Sequence, residues 1–173
     1  MIVIRTIEEL ESERERQLKA WIENGKEEDE FCLSLEGADL EGAYLICSFF
    51  YRANFAWADL RGANLQWADL HGAYLPAANL SGANLANSHF RSADFMEANL
   101  SNANLTEADL TNADLTDSNL SGADLTGANL DGADLKGAKI SDTIITQSQY
   151  DELYRLYSHE VMGGFIIKEL EVE

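Results

Sequence analysis

Ala58-Asp59-Leu60-Arg61-Gly62-Ala63-Asn64-Leu65 carries one pattern twice: a small residue, then Asp or Asn, then a large apolar residue, with two further positions before the pattern recurs. Followed outward without an insertion, it gives twenty-three five-residue units, from Leu33-Ser34-Leu35 to Thr143-Ile144-Ile145. Eighteen of the small positions are Ala. The large ones are Leu in seventeen units, Phe in four (Phe50, Phe55, Phe90, Phe95) and Ile in two (Ile140, Ile145). A period of five suits neither an α-helix, with its period of about 3.6, nor a flat strand, with its period of about two. Residues two apart on an extended chain point to the same side, so the small and large residues of a unit both face inward. The other three positions face out or turn a corner. Nine of the last positions are Gly and three are Asn, residues that tolerate positive φ at a tight bend. A chain bending the same way every five residues winds into a coil. Successive coils then stack as parallel strands ~4.8 Å apart around a one-dimensional apolar core.

Composition narrows the possible partners. At 173 residues the chain has the size of one domain, and its net charge of −19 disfavours direct binding to nucleic acid or to an anionic membrane. Acids outnumber bases in each segment: ten to five over residues 1–32, fifteen to five over 33–145, and six to two over 146–173. Cys32 and Cys47 have no metal-binding or redox spacing and are expected as free thiols. The apolar Met1-Ile2-Val3-Ile4 is too short for a secretory core, and no run is long enough to span a bilayer, so a cytoplasmic location is expected.

The flanks read differently from the repeat. Residues 1–32 form a helical cap and linker. Thr6 and Glu9 have capping-box spacing, Ile7, Leu10, Leu18, Trp21 and Ile22 form an apolar stripe, Gly25 is a stop, and Lys26-Glu27-Glu28-Asp29-Glu30 is a charged linker. The repeat domain covers 33–147. Residues 148–173 form a second cap, in which Thr146 and Gln149 open a helix running to about Glu160 with Tyr150, Leu153, Tyr154 and Tyr157 on its apolar side. After Gly163-Gly164 the tail alternates like a strand. Its Phe165, Ile166, Ile167, Leu170 and Val172 suit folding back, pairing with Ile2-Val3-Ile4, or joining two chains as a homodimer. Pairing between chains is the easier of these, because the termini of a rod lie at opposite ends.

Ala58-Asp59-Leu60-Arg61-Gly62, Ala103-Asn104-Leu105, Ala108-Asp109-Leu110 and Ala123-Asp124-Leu125-Thr126-Gly127 resemble the A(D/N)LXX signature of pentapeptide repeat proteins. The resemblance implies an all-β solenoid, a right-handed quadrilateral β-helix with four units per coil. That gives about six coils, closed by short helices at both ends. Four sides are implied by the resemblance alone, since the spacing also permits another number. Many relatives are cyanobacterial proteins of unresolved function. Others are acidic DNA mimics that bind DNA gyrase or topoisomerase IV, and this is the alternative role the resemblance implies.

With four units per coil, residues twenty apart become stacked neighbours, and surface columns can be read. Asp94, Asp114 and Asp134, with Glu97 and Asp117 beside them, form a candidate acidic partner-binding face. Asp69, His89 and Asp109 place an imidazole between carboxylates, next to Tyr51, His71 and Arg91. With no nucleophile and no enclosed pocket, exposed ion pairing is the better reading than general base catalysis. Tyr44, Phe49, Tyr51, Trp57, Trp67 and Tyr74 all point outward within the first eleven units. They form a candidate contact patch, expected to lie first under the chain's own N-terminal helix. The function read from the chain is a non-catalytic protein-interaction module, with an unknown protein partner, no metal and no cofactor.

Overall fold

The structure, a computed structural model, describes residues 2–24, 31–157 and 165–168. Parallel bridges join residues twenty apart throughout the repeat, so four units complete each coil. They define four faces: Ser34 through Asn54, Tyr74, Asp94 and Asp114 to Asp134; Asp39 through Asp59 to Lys139; Tyr44 through Asn64 to Ile144; and Phe49 through Asp69, His89 and Asp109 to Asn129.

The five amides of a unit explain the period. The amide of the large residue donates to a carbonyl nineteen residues ahead, as Leu75 does to Asp94 at 2.7 Å. The amide of the residue before it donates to the coil below, as Asn54 does to Leu33 at 2.9 Å. The last residue of the unit donates to the coil above, as Gly37 does to Ala56 at 2.8 Å. The following small residue closes a turn, as Ala38 does onto the Leu35 carbonyl at 3.0 Å. One amide is left, that of the residue directly after the large one, and no neighbouring coil offers it a carbonyl. Here the Asp or Asn is needed: its Oδ1 accepts that amide two residues on, as Asp94 does from Met96 and Asp114 from Thr116, both at 2.9 Å. All sixteen Asp and Asn residues at this position make the bond. Tyr74 has no such acceptor, but two residues on stands Pro76, which has no amide to satisfy.

Inside, the Ala and Leu columns are buried, and Phe50 against Phe55 and Phe90 against Phe95 meet edge to face with centroids 5.0 Å apart. At the corners the last residue of the unit has positive φ even where it carries a side chain, as at Trp57 (56°), Trp67 (60°) and Ala77 (53°).

The lower end is closed by residues 2–24. Val3 bridges Asp39, which puts the buried Ile4 beneath the Leu40 column as if it belonged to one more unit. Arg5 clamps this segment, with both Nη2 contacts to the Asp39 carboxylate at 2.8 Å and Nη1 to the Asp39 carbonyl at 2.7 Å. This pairing holds the Asp39 carboxyl below the usual carboxylate range. Helix α1 (Ile7–Glu23) starts at Thr6 with the reciprocal Thr6–Glu9 capping box. Leu10 is buried against the core, Trp21 packs edge to face on Phe31, and Gln17 exchanges two hydrogen bonds with the Ser34 backbone. That side-chain amide takes the place of a strand on the open edge of the first coil. Gly25 and residues 26–30 lie outside the described residues.

At the upper end, β1 (Thr143–Thr146) leads directly into α2 (Gln147–Tyr157). Gln149 Nε2 bonds the carbonyls of Leu125 and Ala128 at 2.7 and 2.8 Å, and Leu153 is buried on the last coil. Strand β2 (Phe165–Lys168) lies parallel to β1, with Ile166 opposite Ile144. Of the pairings open to the tail, this is folding back onto its own chain, and not pairing with Ile2-Val3-Ile4. The strand's partner is the last repeat of its own chain, at the same end of the rod, and no long return is needed. Leu170, Val172 and Glu160 lie outside the described residues.

The corner geometry gives a stability test. Ala77→Gly relieves a left-handed residue and is expected to stabilise the fold by about 1 kcal/mol. Gly127→Ala is expected to destabilise it by at least about 1 kcal/mol, because a Cβ there runs into the Glu107 carboxylate besides being left-handed. Urea denaturation midpoints check both; equal midpoints would contradict the assignment of strain.

Candidate functional site

The structure brings the acidic residues together. Asp94, Asp114 and Asp134 stack in adjacent coils, and Glu97 and Asp117 lie on the adjoining corner at φ of 58° and 56°. Each of the three stacked aspartates has an Oδ1 committed to the turn after it, on the amides of Met96, Thr116 and Lys136. Asp117 packs under Gly137. The column is therefore assembled by residues whose first role is the bend.

The aromatics have no such role. Tyr44, Phe49, Tyr51, Trp57, Trp67 and Tyr74 are 48–81% exposed, with Phe49 the most exposed of them. The expectation that the N-terminal helix covers them is overturned. Arg5 on Asp39 and Gln17 on Ser34 fix α1 across the end of the rod, where Leu10 is buried and a cleft between α1 and Phe49 leaves that ring exposed. Ile22, expected to lie over the first coils, is itself about half exposed. Tyr44 and Phe49 also stand where an Asp or Asn would hold a turn amide. Among the described residues the amides of Ile46 and Tyr51 gain no such bond.

The aromatics spread from the Tyr44 face past the Phe49 face to the corner after the Ser34 face. Tyr51 stacks flat on His71, with centroids 5.5 Å apart and planes at 3°. Sequence reading missed their setting. Arg52 follows Tyr51 at the corner, Cys47 is exposed beside Phe49, and Met96 is exposed beyond Pro76. The corner columns, read at intervals of twenty, would have shown these. At the foot of the Phe49 face, α1 and the first coil leave a cleft of about 300 Å³ lined by Ile7, Leu10, Leu33, Cys47, Ser48 and Phe49, with Glu11 and Arg14 also lining it. The Ser48 hydroxyl is buried and has no hydrogen-bond partner among the described residues.

His89 sits between Asp69 and Asp109 on the open Phe49 face. Partial burial pushes the Asp109 carboxyl up, but the Thr111 hydroxyl and amide, with the charges of Arg91 and His89, outweigh it and leave the group below its ordinary range. Among the described residues no group of three or more His, Cys, Asp or Glu side chains is arranged to hold a metal ion. Nor is any helix among them long and apolar enough to cross a membrane.

A four-sided coil of five-residue units, with Ala and Leu inward and Asp or Asn holding each bend, defines a β-helical solenoid. The profile named Pentapeptide repeats matches residues 38–75, 73–112 and 108–147, in eight copies, and the chain belongs to the pentapeptide repeat family. The chain is similar in structure to the pentapeptide repeat protein Rfr23 from the cyanobacterium Cyanothece 51142, at 29% identity and a TM-score of 0.62, covering 75% of this chain and 94% of that one. It is also similar to a pentapeptide repeat protein from the thylakoid lumen of Arabidopsis thaliana, at 34% identity over 71% of this chain and 75% of that one, with a TM-score of 0.34. A third similar structure is QnrB1, a plasmid-mediated fluoroquinolone resistance protein, at 23% identity over 71% and 82% of the two chains, with a TM-score of 0.38. No curated protein matches the chain.

The turn role of the acids is testable. Asp114→Ala is expected to destabilise the fold by about 1 kcal/mol, and Asp114→Asn to leave it within about 0.5 kcal/mol of the parent, since Asn keeps the acceptor. Denaturant titration measures both. Equal losses would mean that charge, and not the turn bond, fixes the residue.

Proposed function

We propose that this protein is a non-catalytic interaction module, a rigid rod that presents an outer face to a partner protein. One observation carries the reading: six aromatic side chains stand in water on the first coils, and the chain's own helix leaves them uncovered. Large exposed apolar groups clustered on an otherwise polar surface mark contact sites. The core supports the reading from the other side. Its inward positions are filled by Ala, Leu and Phe packed on one another, which leaves chemistry to the outer walls.

A second reading, an acidic mimic that engages DNA gyrase or topoisomerase IV, takes its support from the five carboxylates along one edge: Asp94, Glu97, Asp114, Asp117 and Asp134. The similarity to QnrB1 adds nothing to it beyond the fold. On this reading the contact would depend on charge, and D94N/D114N/D134N would remove it while sparing the turns.

The test is capture of bound proteins by the immobilised full chain from an extract of the organism that encodes it. The interaction module is expected to retain a protein that the D94N/D114N/D134N variant retains equally well. Retention of nothing above background would overturn it. In parallel, micromolar protein is expected to leave gyrase supercoiling unchanged; inhibition abolished by the triple variant would establish the mimic instead.

A further inference from the structure

We infer that the side of the rod from the Tyr44 face to the corner after the Phe49 face, over the first three coils, docks an acidic peptide segment carrying apolar side chains. This rests on the interaction-module reading and adds the face and the chemistry of the partner.

Charge is the first support. The chain carries −19, yet this side is not acidic. On the Tyr44 face the outward residues Tyr44, Asn64, Asn84 and Asn104 are uncharged. On the Phe49 face and its two flanking corners, up to Ser92, Asp69 is the one acid against Arg52 and Arg91, with His71 and His89 between them. The arginines differ as well. Arg5, Arg16 and Arg61 are each bound to a carboxylate, whereas among the described residues Arg14, Arg52 and Arg91 form no ion pair. Unpaired guanidinium groups beside exposed aromatic rings suit carboxylates on a partner.

The second support is what the turn gives up. Sixteen units place Asp or Asn before the large residue and gain the amide bond. Tyr44, Phe49 and His89 on this side forgo it, and Tyr44 and Phe49 place a large ring in water. Nothing in the fold is gained by that exchange, and a partner's surface would gain from it.

The third is the cleft at the foot of the same face. Its volume of about 300 Å³ and its apolar wall of Ile7, Leu10, Leu33 and Phe49 suit one large apolar side chain. On its lining Glu11 offsets Arg14, and the positive charge beside that anchor comes from Arg52 beyond Phe49. Three coils rise ~14 Å, the reach of about four extended residues, so the site suits a short linear segment. A nucleic acid strand suits it less well. A phosphate backbone needs several cations along its path, and the field of the whole chain repels it.

The test is fluorescence polarisation with the full-length protein and a labelled peptide of about twelve residues in which Glu alternates with Leu and Phe. Two further peptides replace Glu with Lys, or the apolar residues with Ser. The Glu–apolar peptide is expected to bind, more weakly as salt rises, and neither control peptide is expected to. Phe49→Ala and Arg52→Ala are each expected to weaken binding by about tenfold, and Thr116→Ala, at the corner between the Ser34 and Asp39 faces on the far side of the rod, to leave it unchanged. No binding up to about millimolar peptide, or equal binding by the Phe49→Ala protein, overturns the inference. So does binding of oligothymidylate that is lost with Phe49→Ala, which would assign the face to single-stranded nucleic acid. Self-association in sedimentation without peptide, lost in the same variant, would assign it to a second copy. If the Phe49→Ala protein still captures its partner from the extract, this inference falls and the interaction module stands.

Discussion

The structure depends on one amide per repeat. Four of the five N–H groups in a unit find carbonyls in the turn or in the neighbouring coils, but the residue after each Leu has none. A buried or half-buried amide without a partner is costly, and repetition multiplies the cost along the rod. The Asp or Asn two positions before that residue supplies the missing acceptor, and the pattern A-(D/N)-L follows. Small residues allow the coils to close, large ones fill the axis, and the acid or amide holds the corner.

This division changes how the surface should be read. Acidic residues dominate the outside of the coils, and a stack of carboxylates suggests a binding face. Yet Asp and Asn share the Asp39 face. Asp39 and Asp59 are followed by Asn79, Asn99 and Asn119, which bond one another side chain to side chain, so the position takes either without regard for charge. Turn chemistry therefore accounts for these outward positions. The residues it does not account for are those at which the rule is broken. At Tyr74 the break is harmless, because Pro76 has no amide. A bond is given up at Ser34, Tyr44, Phe49, His89 and Lys139; Tyr44 and Phe49 alone of these put a large exposed ring in its place, and there the search for function belongs.

Much of the fold was legible in the sequence, because a period of five constrains every residue in it. The inward Ala and Leu columns and both capping boxes, Thr6–Glu9 and Thr146–Gln149, could be read from spacing. The number of sides could not, since it depends on the angle of each corner. The ends were harder still. An amphipathic stripe shows that α1 buries Leu10, but its path is set by Arg5 on Asp39 and Gln17 on Ser34, contacts thirty-four and seventeen residues apart with no periodic signal. Likewise, alternation in the tail announced a strand without naming Thr143–Thr146 as its neighbour. The candidate site shared this limit. The aromatics were visible in the sequence, whereas their exposure depended on where the helix went.

The central claim is that the aromatics of the Phe49 side contribute nothing to the fold and are held in water for another molecule. The most direct measurement is the unfolding free energy of a chain in which Tyr44, Phe49 and Tyr51 are all replaced by Ala, compared with the parent. The expected result is a difference within about 1 kcal/mol, as for substitutions at exposed positions. A loss of several kcal/mol would contradict the claim, because side chains that stabilise the chain to that extent must be buried within it.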